Sequence, residues 1–131
     1  HYKMPRQHLG YMGRLCYAQD VTAVTGACLM VSRAAYDQVG GLDESFTISL
    51  NDVDFCLKLR EAGYLNIFTP FAELYHYESK TRGMEEGEKL RRYERECAHF
   101  LEKWKAQLDA GDPYYNPNLT LKSQDFSLKR I

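Results

Sequence analysis

Residues 88–110 carry a helical pattern that dictates much of what the remaining chain must do. Leu90, Tyr93, Cys97, Leu101, Trp104 and Leu108 recur at three- and four-residue intervals, and Glu, Lys and Arg occupy the opposite side. The spacing predicts one long helix, stopped by Gly111, with an apolar stripe that packs and a charged face in water. The rest of the chain must therefore supply the surface that receives that stripe. With 131 residues a single domain can do so, burying roughly two thirds of the surface its unfolded chain exposes.

Composition narrows the class of protein. The chain is 44% hydrophobic and 27% charged, ordinary globular values that exclude disordered, collagen-like and disulfide-dense chains. Its net charge of -1 disfavours binding to nucleic acid through phosphate contacts, so no nucleic-acid partner is expected. The longest apolar run, 23–31, falls far short of the roughly 20 residues a membrane-spanning helix needs. The polar, basic opening has no apolar signal core, so no secretory peptide is expected there. Cys16, Cys28, Cys56 and Cys97 form no C-x-x-C pair. They read as reduced thiols, with Cys28, Cys56 and Cys97 buried among apolar residues, and a cytoplasmic location follows.

Along the chain, 1–20 reads as an ordered loop with one short element, punctuated by Pro5, Gly10 and Gly13. Residues 21–31 read as a buried strand with a kink at Gly26 and Ala27. Ser32 should cap a short helix, 33–39, ended by Gly40-Gly41. Asn51 is a further N-cap candidate. After it, Val53, Cys56, Leu57 and the stem of Arg60 repeat at helical spacing through 52–62 until Gly63. Strands are expected at 64–69, before Pro70, and at 72–77; a polar, Gly-bounded loop then spans 80–87. The tail opens with turn chemistry, Asp112-Pro113-Tyr114-Tyr115-Asn116-Pro117-Asn118. The whole reads as one α/β domain: loop 1–20, core 21–83, long helix 84–111 and tail 112–131.

Chemistry concentrates around Asp52, a carboxylate in the first turn of a helix with a loop before it. Asp54, two residues on, must point to a different side, which argues against a paired-carboxylate mechanism. Both acids also suit the positive end of a helix dipole without any catalytic role. His76, between two tyrosines, offers an imidazole for a divalent metal or for an ordinary structural hydrogen bond. Gly26 and Ala27 let a ligand, or simply a packed neighbour, approach the backbone. Lys80 and Arg82 can reach an anion or remain solvated.

Four blocks in order carry a resemblance: V-T-G-A-C-L-M-V-S-R (24–33), V-G-G-L-D-E-S-F (39–46), N-D-V-D-F-C-L-K-L-R-E-A-G-Y (51–64) and L-Y-H-Y-E-S (74–79). Together they resemble the family-two, GT-A-fold nucleotide-sugar glycosyltransferases, and D-P-Y-Y-N-P-N (112–118) looks like the close of a bacterial surface-polysaccharide or O-antigen subgroup. The resemblance implies a partial GT-A fold, a mixed sheet with flanking helices and a long C-terminal helix, forming the acceptor-side half of the enzyme. The nucleotide-binding half with its D-x-D motif is not among these residues, so the chain alone is expected to be inactive and to bind neither nucleotide nor metal tightly.

In such enzymes Asp52 matches the catalytic base, with Asn51 standing where Glu is usual, and His76 matches a ligand of a divalent metal, Mn or Mg. Gly26, with Ala27 beside it, matches the donor-sugar loop. Asp43 and Glu44 match residues near the sugar, and Lys80 and Arg82 a loop over the diphosphate. The implied reaction is sugar transfer with inversion from a nucleotide-diphosphate donor to a glycan or lipid-linked acceptor. It would take place in the cytoplasm or peripheral to the inner membrane, and an exposed sheet edge would invite a homodimer. Two other classes fit the residues without the resemblance: a non-catalytic carbohydrate- or protein-interaction module, and a metal-assisted hydrolase drawing on Asp43, Asp52, Asp54, Glu73 and His76.

Overall fold

The computed structural model describes residues 5, 7–47, 49–75, 87–123 and 125–130. Strands β1 (Gln19–Val21) and β2 (Asn66–Phe68) form a two-stranded antiparallel sheet, with Asp20 opposite Ile67. Among the described residues four α-helices accompany it: α1 (Arg33–Gln38), α2 (Asn51–Glu61), α3 (Glu88–Lys103) and α4 (Lys105–Ala110). The α/β class holds, whereas the described sheet is antiparallel rather than mixed.

The organising element is α2, which buries Asp54, Phe55, Cys56, Leu57 and Leu59. On one flank Leu57 meets Phe46, Phe100 and Trp104, with Leu50 and Val53 at the margin. On another, Phe55 and Leu59 pack with Ala35, and with Leu29, Val31, Tyr36 and Val39 around them. Such side chains contribute about 1.5–3 kcal/mol each when fully buried, so both clusters depend on α2 keeping its place. The chain enters α2 through Leu50, whose left-handed φ of 67° is unusual for a branched residue. Its packing against the Phe46 cluster opposes that strain.

Several sequence expectations hold. Ser32 caps α1, its Oγ accepting from Ala35 N at 3.2 Å, and Gly40 and Gly41 follow with φ of 74° and 67°. Three expectations need correcting. Residues 21–31 are not a buried strand: pairing stops at Val21, and Gly26–Cys28 is a single 3-10 turn that leaves Cys28 exposed. The reason lies in α2, where Asp52 and Cys56 sit one turn apart on one face. Gly26 N donates to Asp52 Oδ2 at 2.8 Å and Val24 N to Cys56 Sγ at 3.5 Å, so helix side chains take the place of a neighbouring strand. Arg60, a turn further, points Nη1 at Thr22 Oγ1, and buried Asn66 donates through Nδ2 to Thr22 O and Cys56 O at 2.9 and 3.0 Å.

The second correction concerns the long helix. It breaks at Trp104 into α3 and α4, and its buried residues are Glu96, Phe100 and Trp104, while Leu90, Tyr93, Leu101 and Leu108 lie exposed and Cys97 is half-buried. The packing face is thus rotated from the predicted stripe, and Trp104 is the one fully buried residue the two share. The third concerns strands: the one expected at 64–69 shrinks to β2, and 72–75 are not in a strand; 76 and 77 lie outside the described residues. Asn51 opens α2 as its first residue, with Leu50 in the capping position, and its Oδ1 accepts from Asp52 N at 2.8 Å.

Candidate functional site

Asp52 and Gly26 meet at the mouth of α2. The Asp52 carboxylate is half-buried; Oδ2 accepts the Gly26 N–H at 2.8 Å and Oδ1 accepts its neighbour Val53 N–H at 2.9 Å. An ionised carboxylate has about four acceptor positions, and among the described residues hydrogen bonds take one on each oxygen. A Cβ added at Gly26 would stand 3.2 Å from Asp52 Cβ, which makes this a close approach that a side chain would crowd. Ala27 sits beside it, its N–H on Thr25 Oγ1 at 3.3 Å, in the turn that offers Gly26 to the carboxylate. Gly26 and Asp52 are 26 residues apart in sequence, and the fold brings them into direct contact.

Asp54 has a different environment. Fully buried, its Oδ1 accepts Trp104 Nε1 at 2.8 Å and pairs with Lys103 Nζ at 2.7 Å, while Lys58 Nζ lies 3.9 Å from Oδ2. Oδ2 itself has no hydrogen-bond partner among the described residues. The two acids of the N-D-V-D string therefore divide: Asp52 opens outward and Asp54 ties α2 to the end of α3.

Asp43 joins that second network. Its Oδ1 accepts from Ser45 N at 2.9 Å and Ser45 Oγ at 2.7 Å, and its Oδ2 pairs with Lys103 Nζ at 2.8 Å. Hydrogen bonds from Lys103 and Ser45 hold its carboxyl well below the usual carboxylate range. Burial pulls Lys103 down, but hydrogen bonds to Asp43 and Asp54 outweigh it and hold the ammonium above its ordinary value. Asp43 thus fastens the 42–50 loop to α3, and Glu44 beside it is exposed.

His76, Lys80 and Arg82 lie outside the described residues. Among the described residues no three of His, Cys, Asp and Glu gather as a metal would require, so they do not by themselves make a metal centre. Sequence reasoning misses Glu96. Its Oε1 accepts from Thr47 N and Oγ1 at 3.0 and 2.8 Å, and Oε2 from Ser49 N at 3.1 Å, fixing the loop that leads into α2. The signal that could reveal it is the spacing Glu96, Phe100, Trp104, a stripe at four-residue intervals hidden by its charged first member.

No family profile matches the chain, and no solved structure matches it. Among curated proteins it is 49% identical over 130 residues, 98% of its length, to the uncharacterized protein y4gI of Sinorhizobium fredii. It is 31% identical over 118 residues, 90% of its length, to the O-antigen biosynthesis protein RfbC of Myxococcus xanthus. Over 78 residues, 60% of its length, it is 35% identical to the N-acetylglucosaminyl-diphospho-decaprenol L-rhamnosyltransferase of Mycobacterium tuberculosis. The matches span only 14%, 9% and 25% of those proteins, so the chain corresponds to a segment of each. No helix among the described residues is long and apolar enough to cross a membrane.

Proposed function

We propose that this chain is the acceptor-side segment of an inverting nucleotide-sugar glycosyltransferase with a GT-A fold, acting in bacterial polysaccharide assembly. The observation that carries the reading is the Asp52 carboxylate, tethered by the Gly26 N–H at the mouth of α2 with acceptor positions that the described residues leave untaken. The similarity to a rhamnosyltransferase and to an O-antigen biosynthesis protein supports the reaction class.

In the proposed reaction an acceptor hydroxyl hydrogen-bonds to Asp52. Its oxygen attacks the anomeric carbon as the bond from that carbon to the donor diphosphate breaks. The proton passes to Asp52 and the electron pair leaves with the nucleotide diphosphate. Attack from the face opposite the leaving group inverts the anomeric centre. Gly26 contributes by holding the carboxylate in one position, which reduces the orientational cost of the attack. Lys80 and Arg82 are assigned to the departing diphosphate, Ala27, Asp43 and Glu44 to the surroundings of the sugar, and His76 to a divalent metal whose other ligands come from outside this chain. Bound there, the metal would neutralise charge on the diphosphate.

The test is sugar transfer by the longer protein that contains this segment, measured with a panel of nucleotide sugars and glycan or lipid-linked acceptors. Formation of a product of inverted anomeric configuration is expected. Transfer with retained configuration would overturn the mechanism, and sustained donor consumption without a glycosylated product would overturn the reaction class.

A further inference from the structure

A cleft of about 490 Å³ lies between the 42–50 loop and α3, lined by Ser45, Thr47, Arg92, Arg95, Glu96 and His99. Arg92, Arg95 and His99 are exposed on α3 at spacings of three and four residues, so they share one face. The ion pairs among the described residues do not involve Arg92 or Arg95. His99 is braced against the Phe46 ring at 5.2 Å between centroids, which fixes the imidazole while leaving its edge available.

The cleft also holds one carboxylate, which lowers its net positive charge without occupying the guanidinium donors through the hydrogen bonds described. Glu96 is 5% exposed, and its oxygens are turned to Thr47 N, Thr47 Oγ1 and Ser49 N. Ser45 Oγ likewise donates to Asp43. The free donors facing the opening are therefore the two guanidinium forks and the imidazole, a set suited to anionic oxygens. Arg92 and Arg95 are separated by about 4.5 Å along the helix axis, giving two forks for two adjoining anionic groups. The volume falls within the roughly 300–1,000 Å³ typical of small-molecule sites and exceeds what one phosphate fills.

We propose that this cleft binds a diphosphate group through Arg92, Arg95 and His99. Two sources share that chemistry, a nucleoside diphosphate and a lipid diphosphate. Such binding does not depend on Asp52 acting as a base, because it is read by occupancy and not by turnover. In an open cleft the affinity for the bare anion is expected to be on the order of 1 mM, well short of tight nucleotide binding.

The experiment titrates inorganic pyrophosphate into the 131-residue chain without metal, following the His99 imidazole proton resonances. Saturable shifts are expected, weakened at least tenfold in R92Q/R95Q and unchanged in K122Q/K129Q, a charge-matched control on the exposed tail. Since Arg92 and Arg95 are exposed, the double variant should keep the native Trp104 emission, which confirms folding in the same sample. Parallel titrations with uridine diphosphate and with a short prenyl diphosphate below its micelle concentration identify the source. A response to either, lost in R92Q/R95Q, supports the site. No saturable shift with pyrophosphate by 20-fold the expected constant, or equal binding by R92Q/R95Q and the native chain, overturns it.

Discussion

Asp52 and Asp54 stand two residues apart on α2, yet the structure gives them opposite duties, and their amide variants should separate cleanly. In D54N the new side-chain amide oxygen can still accept from Trp104 Nε1, but the charge paired with Lys103 Nζ at 2.7 Å is gone. Hydrogen bonds to charged groups contribute roughly 1.5–3 kcal/mol. Orphaning a buried ion would cost about 3–5 kcal/mol, but Lys103 keeps Asp43 at 2.8 Å and stays partly solvated. The expected loss is therefore about 2 kcal/mol. At a urea m-value near about 2 kcal/mol/M this moves the unfolding midpoint by about 1 M. In D52N the half-buried amide keeps one acceptor and forfeits one of two backbone hydrogen bonds, a loss of about 1 kcal/mol or less. The chain has one tryptophan, Trp104, seated on Asp54, so its fluorescence reports unfolding from the relevant contact. Equal midpoints for the two variants, or a larger fall for D52N, would refute the division of labour.

Other consequences follow from the same geometry. G26A places a methyl 3.2 Å from Asp52 Cβ and should cost about 1–3 kcal/mol in the urea assay; a neutral result would show that the turn relaxes without disturbing Asp52. Because the folded-state pKa of Asp43 is depressed, its stabilisation is complete above the ordinary carboxylate range and is lost as pH falls toward the folded value. The stability gap between the native chain and D43N should hold at about pH 6 and narrow by about pH 3. Lys103, held above its ordinary value, should contribute until the pH climbs past the usual lysine range. Burial pushes the Cys56 thiol up, so a thiol reagent should label exposed Cys16 and Cys28 promptly under native conditions and spare Cys56 until urea unfolds the chain; prompt labelling of Cys56 would contradict its placement.

Much of the local structure is legible in the sequence because the signals lie within a few residues. Ser32 with Gly40-Gly41 bounds α1, and the repeat from Val53 onward marks α2. The pattern misleads where the partner is distant along the chain. The β-branched run after Val21 looks like a strand, but its backbone donors are met by Asp52 and Cys56 of α2. Two overlapping stripes run along α3, and the more apolar one dominates the sequence pattern. The structure buries the stripe headed by Glu96, because loop hydrogen bonds offset the desolvation of that carboxylate. At the site, Asp52 and Gly26 are both visible as candidates in the sequence, but the bond between them is not, and Asp43 proves to be tied to Lys103.

The proposed reaction turns on Asp52 receiving the acceptor proton, and steady-state turnover of the longer protein carrying D52N tests it most directly. Turnover should fall by a factor of at least about 10³, with donor dissociation constant within a few-fold of native and the fold intact by Trp104 fluorescence. Turnover within tenfold of the native protein would contradict the assignment.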